Sequence, residues 1–317
     1  MFDGDTGRSA VSDATVTATV LDAARRNALR CGGRPAMVGP GRELGYSRFS
    51  VVVPAAAAGL ARHGVRPGDV GAVHLADACD TALAVHAVSA VGAVPAPLPP
   101  HSSARELAQM LNECRARFLM TGSGEEAVLA LAAAERSYVR QVFAFGDLPG
   151  ATPFARLVDN HELRAPLADP APPVDLARDV ALRLCDPPAR PTHAERLAEL
   201  HRLAARAGIE QGDVLACCSW DCTASTWLGL MNLCLIQGAT FAGVAESGTE
   251  ALLRDVREHS ATLAVVTPDK LRALAREGDP GPGRPRLRLL VTGTADPEDV
   301  RACRARLGWT VTDLGRP

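Results

Sequence analysis

Lysine is nearly absent from this chain: Lys270 is the only one, and arginine supplies the rest of the 34 basic residues. Chemistry that needs an ammonium must use Lys270 or borrow one from another molecule. No apolar run is long enough to span a bilayer. Met1 to Arg8 is polar and acidic, unlike a secretory signal, which reads as a cytoplasmic protein. A net charge of -2 gives no basis for a nucleic-acid or membrane partner. The nine cysteines are odd in number and irregularly spaced, which excludes a disulfide framework and fits reduced thiols. Cys217, Cys218, Cys222 and Cys234 lack the paired C-x₂-C spacing of a zinc site. Residues 217 and 218, adjacent on one strand, face opposite ways, so no metal is expected.

One loop lacks glycine where glycine matters. Ala181 to His193 reads ALRLCDPPARPTH. Val180 to Leu184 reads as a strand, and a helix opens at Thr192. A strand–loop–helix of this kind can cradle phosphate if it has glycines, free N–H groups and a cation. Here Pro187, Pro188 and Pro191 have no N–H to give. Asp186 adds negative charge, and Arg190 is the one cation of the loop.

The length fits about two domains, with 47% hydrophobic residues to build their cores. Helical spacing marks Thr15–Leu29, and Arg34–Tyr46 reads as a hairpin. Ser47–His63 is a helix, Val70–Leu75 a strand, Asp80–Val91 a helix and Val94–Leu98 a strand. Ser103 and Glu106 form a capping box for a helix ending near Cys114, and Ala116–Met120 is a strand. From Gly146 to Asp179 regularity fades among Pro149, Pro153, Pro166, Pro170, Pro172 and Pro173. The scheme then repeats: Thr192 and Glu195 cap a helix, and Val214–Ser219 is a strand. Thr223–Ile236 is a helix and Ala239–Val244 a strand. Ser247 and Glu250 cap a helix, Thr262–Val266 is a strand, and Pro268–Arg276 is a helix. Asp279–Pro285 is a loop and Leu287–Thr292 a strand. Asp296 caps a helix with Pro297 at its first position, and Thr310–Asp313 is a strand. This alternation implies an α/β fold with mostly parallel sheets. The expected division is a first α/β subdomain at 1–150, a Pro-rich linker at 151–179 and a second α/β subdomain at 180–317.

The turns Val65-Arg-Pro-Gly-Asp69 and Ile209-Glu-Gln-Gly-Asp213 anchor a comparison. With Arg34-Pro-Ala-Met-Val, Leu44-Gly-Tyr-Ser, Ala90-Val-Gly-Ala-Val-Pro-Ala-Pro-Leu, Thr192-His, Gln237-Gly-Ala-Thr and Val291-Thr-Gly-Thr-Ala, they occur in a telling order. Over roughly residues 15–315 the chain resembles the N-terminal part of the adenylate-forming superfamily: acyl-CoA synthetases, fatty-acyl-AMP ligases and peptide-synthetase adenylation domains. The resemblance implies two stacked α/β subdomains, and, in the family, ATP and magnesium. It also implies departures. The family's Ser/Thr/Gly-rich phosphate loop with its Lys is replaced by the degenerate Asp186, Pro187, Pro188, Arg190 stretch. Leu314-Gly315-Arg316-Pro317 stands where its Tyr-Gly-x-Thr-Glu motif begins. Its C-terminal domain and catalytic Lys have no counterpart, so no ATP or magnesium cofactor is expected.

Trp220, Asp221, Cys222 and Trp227 follow a strand's carboxyl end, where open α/β sheets bind ligands. They read either as an acyl or aryl pocket, completed by Gly293, Thr294 and Gly315, or as core packing with Asp221 capping a helix. Catalytic candidates are Asp221, Cys222 and His193, with His193 expected to be exposed. His74 and His86 read as satisfied structural histidines, and His201 as a loose partner of Glu195 or Glu199. The expected protein is a degenerate adenylate-forming-type member of a biosynthetic pathway. Its ligand would be an acyl or aryl group, free or as a carrier-protein thioester, and it would engage a protein partner or form a homodimer. Two alternatives stay open: an acid ligase or acyl-transfer enzyme completed by a second subunit, and an ATP-independent enzyme reusing the acyl pocket.

Overall fold

The turns Val65–Asp69 and Ile209–Asp213 have matching structures. Gly68 and Gly212 take φ of +83° and +92°, which glycine reaches without a Cβ penalty. The Arg66 N–H donates to Asp69 and the Glu210 N–H to Asp213, each at 2.9 Å. Asp69 then pairs with Arg117 at 3.3 Å, and Asp213 with Arg288 at 2.7 Å. Arg117 immediately precedes β5, the neighbour of β3, and Arg288 opens β13, two strands from β10, so each turn is tied to its own sheet.

The computed structural model describes residues 14–159, 174–244, 246–277 and 286–315. Met1 to Arg8, Pro166, Pro170, Pro172, Pro173, the loop expected at 279–285, and Arg316-Pro317 lie outside the described residues.

The chain begins with α1 (Val16–Arg30), the hairpin β1 (Pro35–Gly39) and β2 (Arg42–Gly45), and α2 (Tyr46–Arg62). There follow β3 (Val70–His74), α3 (Ala78–Ala90), β4 (Val94–Pro97), α4 (Ala104–Cys114) and β5 (Phe118–Thr121). Next come α5 (Glu125–Ala134), β6 (Gln141–Ala144), β7 (Thr152–Pro153), α6 (Phe154–Val158), β8 (Leu184–Cys185) and β9 (Pro188–Ala189). The second half runs α7 (His193–Ala207), β10 (Val214–Cys218), α8 (Ala224–Gln237), β11 (Thr240–Val244), α9 (Thr249–Glu258) and β12 (Leu263–Val266). It closes with α10 (Pro268–Glu277), β13 (Arg288–Val291), α11 (Pro297–Leu307) and β14 (Thr310–Asp313).

The strands form a sheet ordered β14-β13-β12-β10-β11-β1-β2, a second ordered β4-β3-β5-β6-β7, and the small β8-β9 ladder. All pairs in the two larger sheets are parallel except β1–β2. α3 and α8 explain how the sheets stack. Residues 78–88 of α3 and 227–235 of α8 are buried without interruption, as befits a helix enclosed on every side. α3 packs on β3 and β4 of one sheet and on β1 and β2 of the other. A buried relay ties the layer together: Thr17 Oγ1 lies 3.0 Å from His86 Nδ1, and His86 Nε2 lies 3.1 Å from Asn232 Oδ1.

Four expectations are corrected. The sheets do not divide at residue 150. The hairpin β1–β2 joins the second-half sheet, with Met37 level with Phe241 in parallel register, because β11 has an edge to complete. The 151–179 stretch is not linker throughout. β7 pairs with β6, and α6 packs on α2 so closely that a Cβ on Gly59 would fall 2.3 Å from the Leu157 carbonyl oxygen. Val180–Leu184 is not a sheet strand; it is one arm of an antiparallel hairpin, bridged at Val180 and Thr192. Finally, Gly248, not Ser247, is the N-cap of α9, without a side-chain cap bond. Residues 125–144, which carry no sequence expectation, supply α5 and β6.

Candidate functional site: the carboxyl edge of the larger sheet

β13, β12 and β10 are neighbours, so the loops leaving their carboxyl ends meet. Asp221 follows β10, Lys270 follows β12 and Thr292 follows β13. Lys270 Nζ donates to Asp221 Oδ2 at 2.7 Å, with only 12% and 2% of the side chains exposed. The Thr292 hydroxyl donates to the Asp221 backbone oxygen at 2.5 Å. Three loops are thus closed on one residue. Burial raises the Asp221 carboxyl above its ordinary value, and the Lys270 ammonium opposes that rise.

Local sequence builds this corner. Ser219–Asp221 make a single 3₁₀ turn, and Thr223 caps α8 by accepting from the Thr226 N–H at 3.3 Å. Asp221 is therefore not the helix cap. Lys270 is placed by the first turn of α10, where its N–H donates to Thr267 Oγ1 at 3.2 Å. The sequence shows no partner for Asp221; the signal available is that Lys270 is the sole lysine, four residues past a strand end.

The other candidates each have their own surroundings. Trp220 is 54% exposed and stacks on His101 with ring centroids 5.2 Å apart. Trp227 is buried, meets Phe241 edge-on at 5.2 Å, and its indole N–H has no hydrogen-bond partner. Gly293 has φ +120° beside Pro268, and Thr294 is exposed. Gly315 has φ +77°; a Cβ there would fall 2.2 Å from Arg206 Nη1, which donates to the Leu314 carbonyl. Cys222 Sγ lies 3.9 Å from Cys217 Sγ.

His193 is half-buried rather than exposed, because the segment 174–179 lies over the start of α7. Burial lowers its pKa, and Asp179 opposes. Among the described residues no hydrogen bond or ion pair joins it to Asp221 or Cys222. Glu199 is taken by Arg196 and Ser225, and Glu195 by the capping box, so neither serves His201. His86 is satisfied by Thr17 and Asn232. His74 is not, since neither ring nitrogen makes a well-formed hydrogen bond. Burial pushes His74 down to about 4, with the Pro100 and Pro99 carbonyls opposing. No cluster of three or more His, Cys, Asp or Glu suited to a metal is found among the described residues, and no helix among them could cross a membrane.

The loop before α7 has its own geometry. Asp186, Pro187, Pro188 and Arg190 form the tip and return arm of the β8–β9 hairpin, and Asp186–Pro187 is cis. Its stem is held to the smaller sheet through Arg183, whose N–H donates to the Pro95 carbonyl and whose guanidinium donates to the Glu113 carbonyl. The first N–H groups of α7 are all engaged. His193 donates to the Asp179 carbonyl at 3.2 Å and Ala194 to the Leu176 carbonyl at 2.8 Å. Glu195 donates to Thr192 Oγ1 at 3.3 Å, and Thr192 donates to the Glu195 carboxylate at 2.8 Å. The chain itself has filled the site where a helix amino end would otherwise bind an anion.

Comparison with known proteins agrees with this architecture. The chain is 27% identical over 316 residues to a salicyl-AMP ligase / salicyl-S-ArCP synthetase of Mycobacterium tuberculosis, covering 93% of this chain. It spans 54% of that ligase's length, about half. A benzoate CoA ligase from Burkholderia xenovorans superimposes with a TM-score of 0.76 at 21% identity, covering 95% of this chain and 60% of that one. An anthranilate CoA ligase solved with anthranoyl-AMP superimposes with a TM-score of 0.75 at 16% identity, covering 96% and 60%. The AMP-binding enzyme family model matches residues 24–182. Sheet order, stacked layers and these matches agree: the chain belongs to the AMP-binding enzyme family, within the adenylate-forming superfamily.

Proposed function

We propose that this chain holds an acyl or aryl carboxylic acid, or its thioester, at the corner formed by Trp220, Asp221, Trp227, Gly293, Thr294 and Gly315, and does not itself grip the phosphates of ATP. The observation that carries the second half is the closed amino end of α7. Its N–H groups are satisfied by the carbonyls of Leu176 and Asp179 and by the Thr192–Glu195 box. The prolines of the preceding hairpin have no N–H to give, and Asp186 adds one negative charge. An ATP phosphate there would have to break existing bonds, and catalysis of phosphate chemistry rests on such positioned donors.

The first half is supported by Trp227. A buried donor without an acceptor costs about 1–3 kcal/mol, and a ligand carbonyl or hydroxyl would satisfy it. The buried Asp221–Lys270 pair would offer polar groups to such a ligand, and the exposed Trp220 an apolar face. Such a mixture of apolar surface with few polar groups is what a small-molecule site needs.

Calorimetry tests both halves on the purified chain. Titration with ATP and magnesium is expected to give no binding heat, whereas a panel of benzoates, salicylates and fatty acids, with their thioesters, is expected to contain a binder. Loss of that heat in Trp227→Phe, which removes the N–H together with the five-membered ring, while the variant keeps the wild-type melting temperature, supports the pocket. Saturable ATP binding would overturn the reading of the α7 loop.

A second reading has its own support. The relative matched over 93% of this chain is a salicyl-AMP ligase of which the chain spans about half. A ligase whose ATP-gripping groups come from another polypeptide fits that relationship. ATP-dependent activation appearing only on addition of a partner protein would favour it.

A further inference from the structure

We propose that Cys217 and Cys222 are a reversible dithiol–disulfide couple that clamps the Ser219–Asp221 turn and so ties the Asp221–Lys270 corner to the thiol state of the protein. The sulfurs are 3.9 Å apart, at positions five apart in the sequence. Cys217 is the penultimate residue of β10 and fully buried; Cys222 follows the turn and is half-buried. One thiol is thus reachable from solvent and the other is packed directly behind it, the arrangement in which an oxidised cysteine meets a resolving partner.

The chemistry balances with a peroxide as oxidant. The Cys222 thiolate attacks a peroxide oxygen and becomes a sulfenic acid, with release of one water. The Cys217 thiol then attacks the Cys222 sulfur, the S–O bond breaks, and a second water leaves. Two thiols and one hydrogen peroxide give one disulfide and two waters. A dithiol reverses the reaction by exchange. Burial raises the Cys217 thiol above its ordinary value, so Cys222 is the first of the two to meet the oxidant.

The consequence is local and readable. A disulfide has sulfurs about 2.05 Å apart, so closure draws Cys222 toward β10. Asp221 is the adjacent residue, holding Lys270 by its carboxylate and Thr292 by its carbonyl. Trp220 sits inside the closed ring and stacks on His101. Cys218 is also buried nearby but points to the other face of the strand, so it serves as an internal control.

The test treats the purified chain with hydrogen peroxide, blocks free thiols with an alkylating reagent, and fragments the product by mass spectrometry. The expected result is loss of two hydrogens located to Cys217 and Cys222, restored by dithiothreitol, with a shift in tryptophan emission that Trp220→Phe removes. Cys218→Ser should keep both signals, and Cys222→Ser, at a half-exposed position, should lose both while melting as the wild type does. Separate alkylation of Cys217 and Cys222 after oxidation, a bond to Cys218 instead, or stepwise over-oxidation of Cys222 without pairing would each overturn the proposal. Ligand binding is not used as the readout, so failure here leaves the acyl-pocket reading untouched.

Discussion

Lys270 Nζ and Asp221 Oδ2 lie 2.7 Å apart at a junction of three strand ends, and they are the chain's only lysine and one of its most buried carboxylates. Removing the ammonium would leave Asp221 buried and alone. Breaking one side of such a pair costs about 3–5 kcal/mol. Lys270→Met is therefore expected to lower stability in urea unfolding by an amount near that range. Asp221 would then rise further, since burial alone would act on it. A carboxyl raised in the folded state makes stability fall as pH increases above its ordinary value. Unfolding of Lys270→Met should thus recover part of the loss between pH 7 and pH 4, and Asp221→Asn in the same background should abolish that recovery.

His86 sets a pH dependence of opposite sign. Burial holds it at about 4 in the fold, against 6.5 ordinarily, with Asn232 opposing. A depressed histidine makes the unfolded chain bind the extra proton. Its contribution is present above pH 6.5 and is lost as pH falls toward 4, at most about 3 kcal/mol at roughly 1.4 kcal/mol per unit. His86→Gln should flatten the unfolding free energy across this window relative to wild type. An unchanged slope would show that His86 is not the group responsible.

Thr192 separates a cap from a phosphate ligand. Thr192→Ala removes the oxygen that accepts from the Glu195 N–H and should cost about 1 kcal/mol, the usual value for an N-cap. Under the closed-helix reading, calorimetry with ATP gives the same absence of heat before and after the change. A phosphate site would respond in binding.

Gly59 marks where α2 and α6 touch. A Cβ there would meet the Leu157 carbonyl oxygen at 2.3 Å and its Cα at 2.6 Å. Backbone cannot rotate away as a side chain can, so Gly59→Ala should destabilise by about 1–3 kcal/mol, the range for overpacking. Gly64→Ala, with open space but φ of +82°, tests strain without a clash. Thermal melts should show Gly59→Ala as the more damaging of the two.

Local chemistry wrote much of the fold into the sequence. Thr15, Ser103, Thr192 and Asp296 each cap the helix they precede, by short-range bonds that need no distant partner. The two Gly-Asp turns repeat because glycine admits their φ and aspartate closes them within three residues. The alternation of strand and helix, and with it the adenylate-forming resemblance, follows from such local signals. The pairing of β1 with β11, the parallel seat of β7 on β6 and the antiparallel path of residues 180–192 depend on edges and surfaces built by other parts of the chain. No local pattern encodes them.

The candidate site divides in the same way. That Trp220, Asp221 and Trp227 follow a strand end and open a helix was legible from the strand–helix alternation. That Lys270 answers Asp221 was not, since 49 residues separate them and only the adjacency of β10 and β12 brings their loops together. The glycine-free, proline-rich loop could be read as a poor phosphate cradle from composition alone. That α7's amino end is already filled, by carbonyls of Leu176 and Asp179, was decided by the tertiary path of the chain, because backbone groups carry no sequence signature of the partner they will find.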